Sequence, residues 1–303
     1  MCLFPKLIPN KRYLPNKKNN YNPPVPKDRR LLYVSSACGK CSECLSKKAK
    51  HWSLRLFYEY YHNNNPCYFV TLTFNNDSLN NLKIKYNLSD NNEIASKAIR
   101  LFLERYRKHN KTYFKHFFIS ELGEINNRLH LHGIIFNFND ISKLDFYWKF
   151  GYTYVGKYVN EKSINYILKY IFKSKGLFLP KIFASKGLGL SLLNDPIFKL
   201  YTKFNDINTN DFYQLPSGKR VSIPIYLRNK LYSEDEKEQL WLNKLDKKTI
   251  YLKGIKIDIS SENGINEYFK LLDYYSKKDK SFGFIGDIPS KHIKLLRKLN
   301  LDK

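Results

Sequence analysis

The alternation of apolar and polar positions is clearest between residues 116 and 138. There HFFISE (116–121) and LHLHGIIFNF (129–138) flank the polar stretch LGEINNR, a pattern that predicts an antiparallel hairpin. Upstream, LSKKAKHWSLRLFYEYY (45–61) sets Trp52, Leu56 and Tyr60 at successive i, i+4 positions and predicts a helix. The following NNNP breaks it, and CYFVTLTF (67–74) has the β-rich content of a buried strand. Residues 75–90 read as a polar loop. Residues 93–109 read as a second amphipathic helix, with Ile94, Ala98, Leu101 and Phe102 on its apolar stripe. A short helix at 141–149, a strand at 151–159 and a helix at 161–173 complete the run. This order predicts an α+β domain, an antiparallel β-sheet with flanking helices.

Outside that region the signals weaken. Residues 1–35 are rich in Pro, Asn and Lys without sustained periodicity, and predict a basic, loosely ordered arm that could tether the chain or grip phosphates. The expected organisation is therefore an arm at 1–35, a core at 36–175 and an extension at 176–303. That extension is helical in part and available for DNA contacts. Two helices are expected in it, one near 233–245 that Ser233 could cap and a basic one near 289–300.

Charge then narrows the partner. The 53 Lys+Arg exceed the 27 Asp+Glu by enough to give a formal net charge of +26, spread along the chain. A polyanion is implied, and nucleic acid is the usual one, because each phosphate contacted by Lys or Arg releases condensed counterions. An anionic membrane surface fits less well: no stretch approaches the roughly 18 to 20 apolar residues of a spanning helix, and no signal-peptide apolar region is evident. Five cysteines in a chain of this length do not read as a disulfide scaffold, so a reducing cytoplasm is expected. The abundance of Lys, Asn, Ile, Tyr and Phe matches an A/T-rich coding sequence, so a Lys or Tyr by itself carries little functional information.

Two constellations carry chemistry. His130 and His132 alternate along one strand, so both imidazoles leave the same face about 7 Å apart at the backbone, close enough to share a metal. If the hairpin pairs about its polar turn, residues whose numbers sum to 251 stand opposite each other, which sets Glu121 across from His130. A bulge would bring Glu124 instead. The bland reading is that the histidines merely half-fill a sheet face. A mixed imidazole–carboxylate set with open positions suits Mg²⁺ or Mn²⁺ in phosphodiester chemistry, with Zn²⁺ a further option. The second constellation is Tyr166, Tyr170 and Lys173 on the following helix. At about 100° per residue they cluster opposite an apolar stripe of Ile164, Ile167, Leu168, Ile171 and Phe172. A phenol is a nucleophile once deprotonated and a better leaving group than a sugar hydroxyl, so its phosphodiester can be reversed by a DNA 3′-OH. A solvated Tyr/Lys face is the bland alternative. For the tyrosines to meet the histidines, something else must cover the stripe, and the segment after 175 is a candidate.

The motifs Phe69-Val-Thr71-Leu-Thr73-Phe74, Arg128-Leu-His130-Leu-His132-Gly133 and Tyr166-x3-Tyr170-x2-Lys173 resemble, in order and spacing, those of the HUH endonuclease superfamily, specifically the replication initiators of microviruses. The resemblance implies an RRM/ferredoxin-like core, with His130, His132 and Glu121 as ligands of Mg²⁺ or Mn²⁺. It also implies catalysis by Tyr166, Tyr170 and Lys173, through a 5′-phosphotyrosine. In this family paired tyrosines imply alternating nucleophiles, one opening the origin and the other releasing a circle one lap later. The implied partners are single-stranded or origin DNA, a host DNA polymerase and a host helicase, since no G-x4-G-K-[ST] loop is present. The setting implied is the cytoplasm of a bacterial host.

Cys38-Gly-Lys-Cys41-Ser-Glu-Cys44, followed by Trp52 and Arg55, is similar to the N-terminal signature of the gokushovirus subgroup, and Val221–Lys230 resembles a later family segment. The three cysteines could hold a structural Zn²⁺ with His51 or Cys67 as a fourth ligand, or could be reduced thiols packed at a helix start. The rival functional reading is a non-catalytic single-stranded nucleic-acid-binding protein, in which bases stack on Tyr and Phe while Lys holds phosphates. A water-activating metal nuclease and a zinc-dependent regulator are further alternatives.

Overall fold

The computed structural model describes residues 2–124, 126–156, 159–175, 177–203, 211–214, 218 and 220–279; the helix expected near 289–300 lies outside them. The chain divides into two compact units, one formed by Ala49–Lys199 and the other by Met1–Lys48 with Leu200–Lys303. These boundaries fall at different places from the expected 35 and 175. The N-terminal stretch also carries regular structure: β1 (Lys6–Pro9) pairs antiparallel with β2 (Tyr33–Ser36), and Leu3 and Leu31 are buried. Helix α1 (Ser42–Tyr61) begins in this unit and continues into the other.

The 49–199 unit is built on one antiparallel sheet. Its elements in chain order are β3 (Cys67–Thr73), α2 (Asn76–Tyr86), α3 (Asn91–Asn110), β4 (Lys115–Leu122), β5 (Leu129–Phe136), α4 (Leu144–Trp148), β6 (Thr153–Val155), α5 (Glu161–Lys169) and β7 (Ile182–Ala184). The strand order is β6-β3-β5-β4-β7, which puts the hairpin of β4 and β5 in the middle. The fold is thus α+β with helices flanking an antiparallel sheet, as the pattern predicts.

Period-two alternation sorts the two faces. Val70, Leu72, Phe118, Leu129, Leu131 and Ile135 point into one core shared with Ile94, Ala98 and Phe102 of α3 and with Trp148 of α4. Residues one position out of phase, including Thr71, Thr73, Glu121, His130 and His132, belong to the opposite face. Gly133 permits close packing between the central strands, because a β-carbon there would stand 2.1 Å from the Phe118 ring and 2.8 Å from the Phe117 carbonyl oxygen.

Residues 76–86, expected as loop, form α2. Leu79, Leu82 and Tyr86 keep helical spacing among the polar residues and pack on the core, Asn75 caps the start, and Asn87 ends it in the left-handed conformation. The 151–159 strand is regular only over the three residues of β6.

Buried His116 gives this unit a pH dependence. Its ring accepts or donates to Ser185 Oγ at 3.0 Å through Nδ1 and stacks on Phe118. Burial pushes its pKa down from 6.5 to about 4. As pH falls from 6.5 towards 4, the unfolded chain takes up a proton that the folded chain refuses, so this group's linkage destabilises the fold with acidification. The expected loss is about 3 kcal/mol by pH 4. Urea unfolding of the wild type and of His116→Gln should diverge over this window, with the variant showing the flatter pH profile; parallel profiles would remove His116 as the cause.

In the other unit, α6 (Pro196–Lys203), which begins at the boundary, is followed by the paired strands β8 (Phe212–Gln214) and β9 (Arg220–Ser222) and by α7 (Ile225–Leu231). Helix α8 (Glu234–Asp246) starts where expected, with Ser233 and Glu236 forming a reciprocal cap. A hairpin of β10 (Thr249–Leu252) and β11 (Ile255–Asp258) and helix α9 (Glu262–Lys278) then close a small core around Leu252, Ile257, Tyr268 and Leu272. None of these last three elements was legible in the sequence pattern.

Candidate active site

The hairpin register brings the first constellation together. Glu121 pairs with His130 across β4 and β5, as the sum of 251 requires, so no bulge intervenes and Glu124 stays in the turn. On the other side of β5, Thr73 pairs with His130 and Thr71 with His132. Thr71 and Thr73 therefore extend the same polar rows onto β3. Their position follows from alternation along FVTLTF, but the sequence gives them no role.

His132 is held at both ring nitrogens. Its Nε2 lies 2.7 Å from Glu121 Oε2 and its Nδ1 lies 3.1 Å from Thr71 Oγ1. Glu121 is only 7% exposed, and its second oxygen accepts from Lys173 Nζ at 2.8 Å. Burial alone would push the Glu121 carboxyl up, but the hydrogen bonds from His132 and Lys173 outweigh it and hold the group below the usual carboxylate range. Burial and the neighbouring His132 push the His130 imidazole down, which favours its neutral, lone-pair-bearing form. Lys173 is raised by its bond to Glu121.

The second constellation arrives from α5. Asn160 caps this helix, which buries Ile164, Ile167 and Leu168 and then tightens into a 3₁₀ turn over Tyr170–Phe172. That tightening changes the expected faces. Tyr170, placed by a uniform helical count opposite the apolar stripe, is 4% exposed and stacks on His132, with ring centroids 4.1 Å apart and planes 12° from parallel. Phe172, counted into the stripe, is 47% exposed instead. Tyr166 is half exposed, and its hydroxyl lies 2.7 Å from that of Tyr170. Burial, the Tyr166 hydrogen bond and the charge of Glu121 together raise the Tyr170 phenol above its ordinary value. Lys173 Nζ stands 4.9 Å from the Tyr170 ring centroid.

An open cleft of about 520 Å³ joins these groups: Glu121, His130, His132, Tyr170 and Lys173 line it, with Arg128 and Thr71 beside them. Arg128 shares its parity on the strand with the histidines, so it too could have been read from the pattern. The residues fit a divalent cation by donor chemistry. Two imidazoles and a carboxylate share the cleft, and the bond between Thr71 and Nδ1 leaves Nε2 of His132 available as a ligand atom. The three donors are not gathered to a point, however. Among the described residues, the group of three or more ligating side chains whose donor atoms all lie within 4.8 Å of one another is a different one, Cys2, Cys38, Cys41 and Cys44. The fourth sulfur is therefore Cys2 and neither His51 nor Cys67, both of which belong to the 49–199 unit.

Comparison with known proteins points the same way as the motifs. Residues 67–175, which hold β3 through the 3₁₀ turn and every residue of the cleft, match the family model of the ORF2-type replication-associated proteins. Over 277 residues the chain is 27% identical to a replication-associated protein, ORF4, of Chlamydia phage 1, covering 78% of this chain and 62% of that relative. The chain thus spans about three fifths of the length of the curated relative it matches. No solved structure matches. The two matches bear out the resemblance to microvirus replication initiators. No helix among the described residues is long and apolar enough to cross a membrane.

Proposed function

We propose that the chain initiates rolling-circle replication as a strand-specific DNA endonuclease, which cuts with a tyrosine, remains on the 5′ end and later rejoins the strand into a circle. The observation that carries this reading is the stacking of Tyr170 on His132 within the cleft that also holds Glu121, His130 and Lys173. A phenol, a cation and a metal-ligating set around one open cleft suit a phosphodiester better than they suit passive binding.

His130, His132 and Glu121 would hold the divalent ion, Mg²⁺ or Mn²⁺ by donor type, which when bound supplies a Lewis acid for the scissile phosphate. The protein's own groups account for the rest. Arg128 and Lys173 orient the phosphate through its non-bridging oxygens. A phenolic oxygen of the Tyr166–Tyr170 pair attacks phosphorus, and the bond from phosphorus to the 3′ oxygen breaks. The phenolic proton leaves through the hydrogen bond shared by the two hydroxyls, and the departing oxygen takes a proton to become a 3′-OH. The phosphorus stays on tyrosine as a 5′-phosphodiester. Attack by a 3′-OH on that bond reverses the step and closes a strand. The ammonium of Lys173 near the Tyr170 ring and Glu121 favours the ionised phenol against the burial that opposes it. The 3′-OH is the end a host polymerase would extend, and unwinding falls to a host helicase, in the cytoplasm of the bacterial host.

The test uses the whole chain with end-labelled single-stranded oligonucleotides tiled across the genome that encodes it, in the presence of Mn²⁺. One oligonucleotide should give a free 3′-OH fragment and a second fragment that migrates with protein under denaturing conditions. Binding of DNA without scission by any tile would favour the non-catalytic reading, and scission leaving a free 5′-phosphate would favour water as nucleophile.

A further inference from the structure

We infer that Cys2, Cys38, Cys41 and Cys44 form a structural tetrathiolate zinc site that ties the N-terminus to the start of α1. The cysteines are unpaired by disulfides. Their sulfurs sit at 3.9 Å for Cys2–Cys41 and 3.8 Å for Cys38–Cys44, with all four within 4.8 Å of one another. A disulfide requires sulfurs about 2.05 Å apart. A tetrahedron with zinc–sulfur bonds of about 2.3 Å has edges of about 3.8 Å, the spacing found here. Four thiols crowded to that distance around a shared centre are the donor set of a soft, tetrahedral ion, and a closed set of four leaves no position for substrate.

The backbone is also arranged for thiolates. Cys38 Sγ accepts from the amides of Lys40 at 3.5 Å and Cys41 at 3.3 Å, a tight knuckle around the ligand made possible by Gly39 at φ +76°. Cys2 Sγ accepts from the amides of Phe4 at 3.4 Å and Cys38 at 3.3 Å. Cys44 lies in the first turn of α1, where the helix dipole favours negative charge. Cys41 is fully buried in the small core with Leu3, Leu252, Ile257 and Tyr268. The ion would join three segments that sequence alone keeps apart, Cys2, the Cys38–Cys41 knuckle and the first turn of α1. Its function is to hold the chain start against the C-terminal hairpin and α9, since binding to a site that exists only when folded is stabilising.

The whole chain, purified reduced with any affinity tag at its C-terminus, should carry one equivalent of zinc per chain by elemental analysis. Exchange into Co²⁺ should give the visible absorption of a tetrahedral site together with sulfur-to-cobalt charge transfer, which a histidine–carboxylate site cannot produce. Cys67→Ser and the double variant His130→Ala/His132→Ala should keep both the equivalent and the spectrum. Cys2→Ser should lose the tetrathiolate spectrum and bind zinc at least tenfold more weakly. Less than a tenth of an equivalent in the wild type would overturn the site even if every cysteine variant misfolds. Retention of the same cobalt spectrum by a soluble Cys2→Ser would overturn the fourth ligand, and loss of the ion from the histidine variant would place the metal elsewhere.

Discussion

Replacement of His132 by alanine is expected to reduce DNA nicking by about a hundredfold to a thousandfold or more, the range seen when a metal site or an electrostatic stabiliser of the transition state is lost. DNA affinity should change little, because phosphate contacts come from the dispersed Lys and Arg that give the chain its +26 charge. His130→Ala should cost a similar factor. The His132 variant should be the more damaging, because that ring also accepts the stacked face of Tyr170 and bridges Thr71 to Glu121. Single-turnover rates with Mn²⁺, beside binding isotherms at two salt concentrations, separate the two effects. Nicking within tenfold of wild type would show that phosphate does not react at the imidazoles.

The second large effect concerns the tyrosine pair. Tyr170 lines the cleft and Tyr166 stands beside it, half exposed, with only its hydroxyl reaching Tyr170. Tyr170→Phe should therefore reduce the first cut by about a hundredfold or more. Tyr166→Phe should keep the first cut within about tenfold and fail at the later transfer that releases a closed circle. The double variant should cut nothing. These outcomes are read on two substrates, a linear single strand for the first cut and a strand carrying two origin copies for release. A Tyr170→Phe variant that cuts and closes as well as the wild type would remove the role given to this phenol.

How far the sequence revealed this site depends on which interactions decide each element. The register of β4 and β5 was legible because alternation fixes a strand's faces and a short polar turn fixes its pairing; Glu121, His130 and the face of His132 followed from counting alone. The hidden helix α2 shows the opposite case. Its polar composition resembles a loop, and three apolar residues suffice only because α3 and the sheet offer a surface to receive them. Tyr170 was misplaced by the uniform helical count because the last turn tightens to 3₁₀, and the flat ring of His132 then buries a residue that amphipathicity assigned to solvent. Cys2 could not be assigned to the cysteine cluster from spacing, since its approach depends on the pairing of β1 with β2 and on a core drawn from both ends of the chain.

The most direct measurement is to trap the reaction with a single-stranded origin oligonucleotide and Mn²⁺, digest the protein and the bound DNA, and sequence the modified peptide by mass spectrometry. The expected adduct is a nucleotide 5′-phosphate on Tyr170 or Tyr166, with Tyr170 dominant after a single cut, and no adduct when His132 is alanine. A modified peptide from any other part of the chain, or complete cutting with every peptide unmodified, would contradict a tyrosine nucleophile in this cleft.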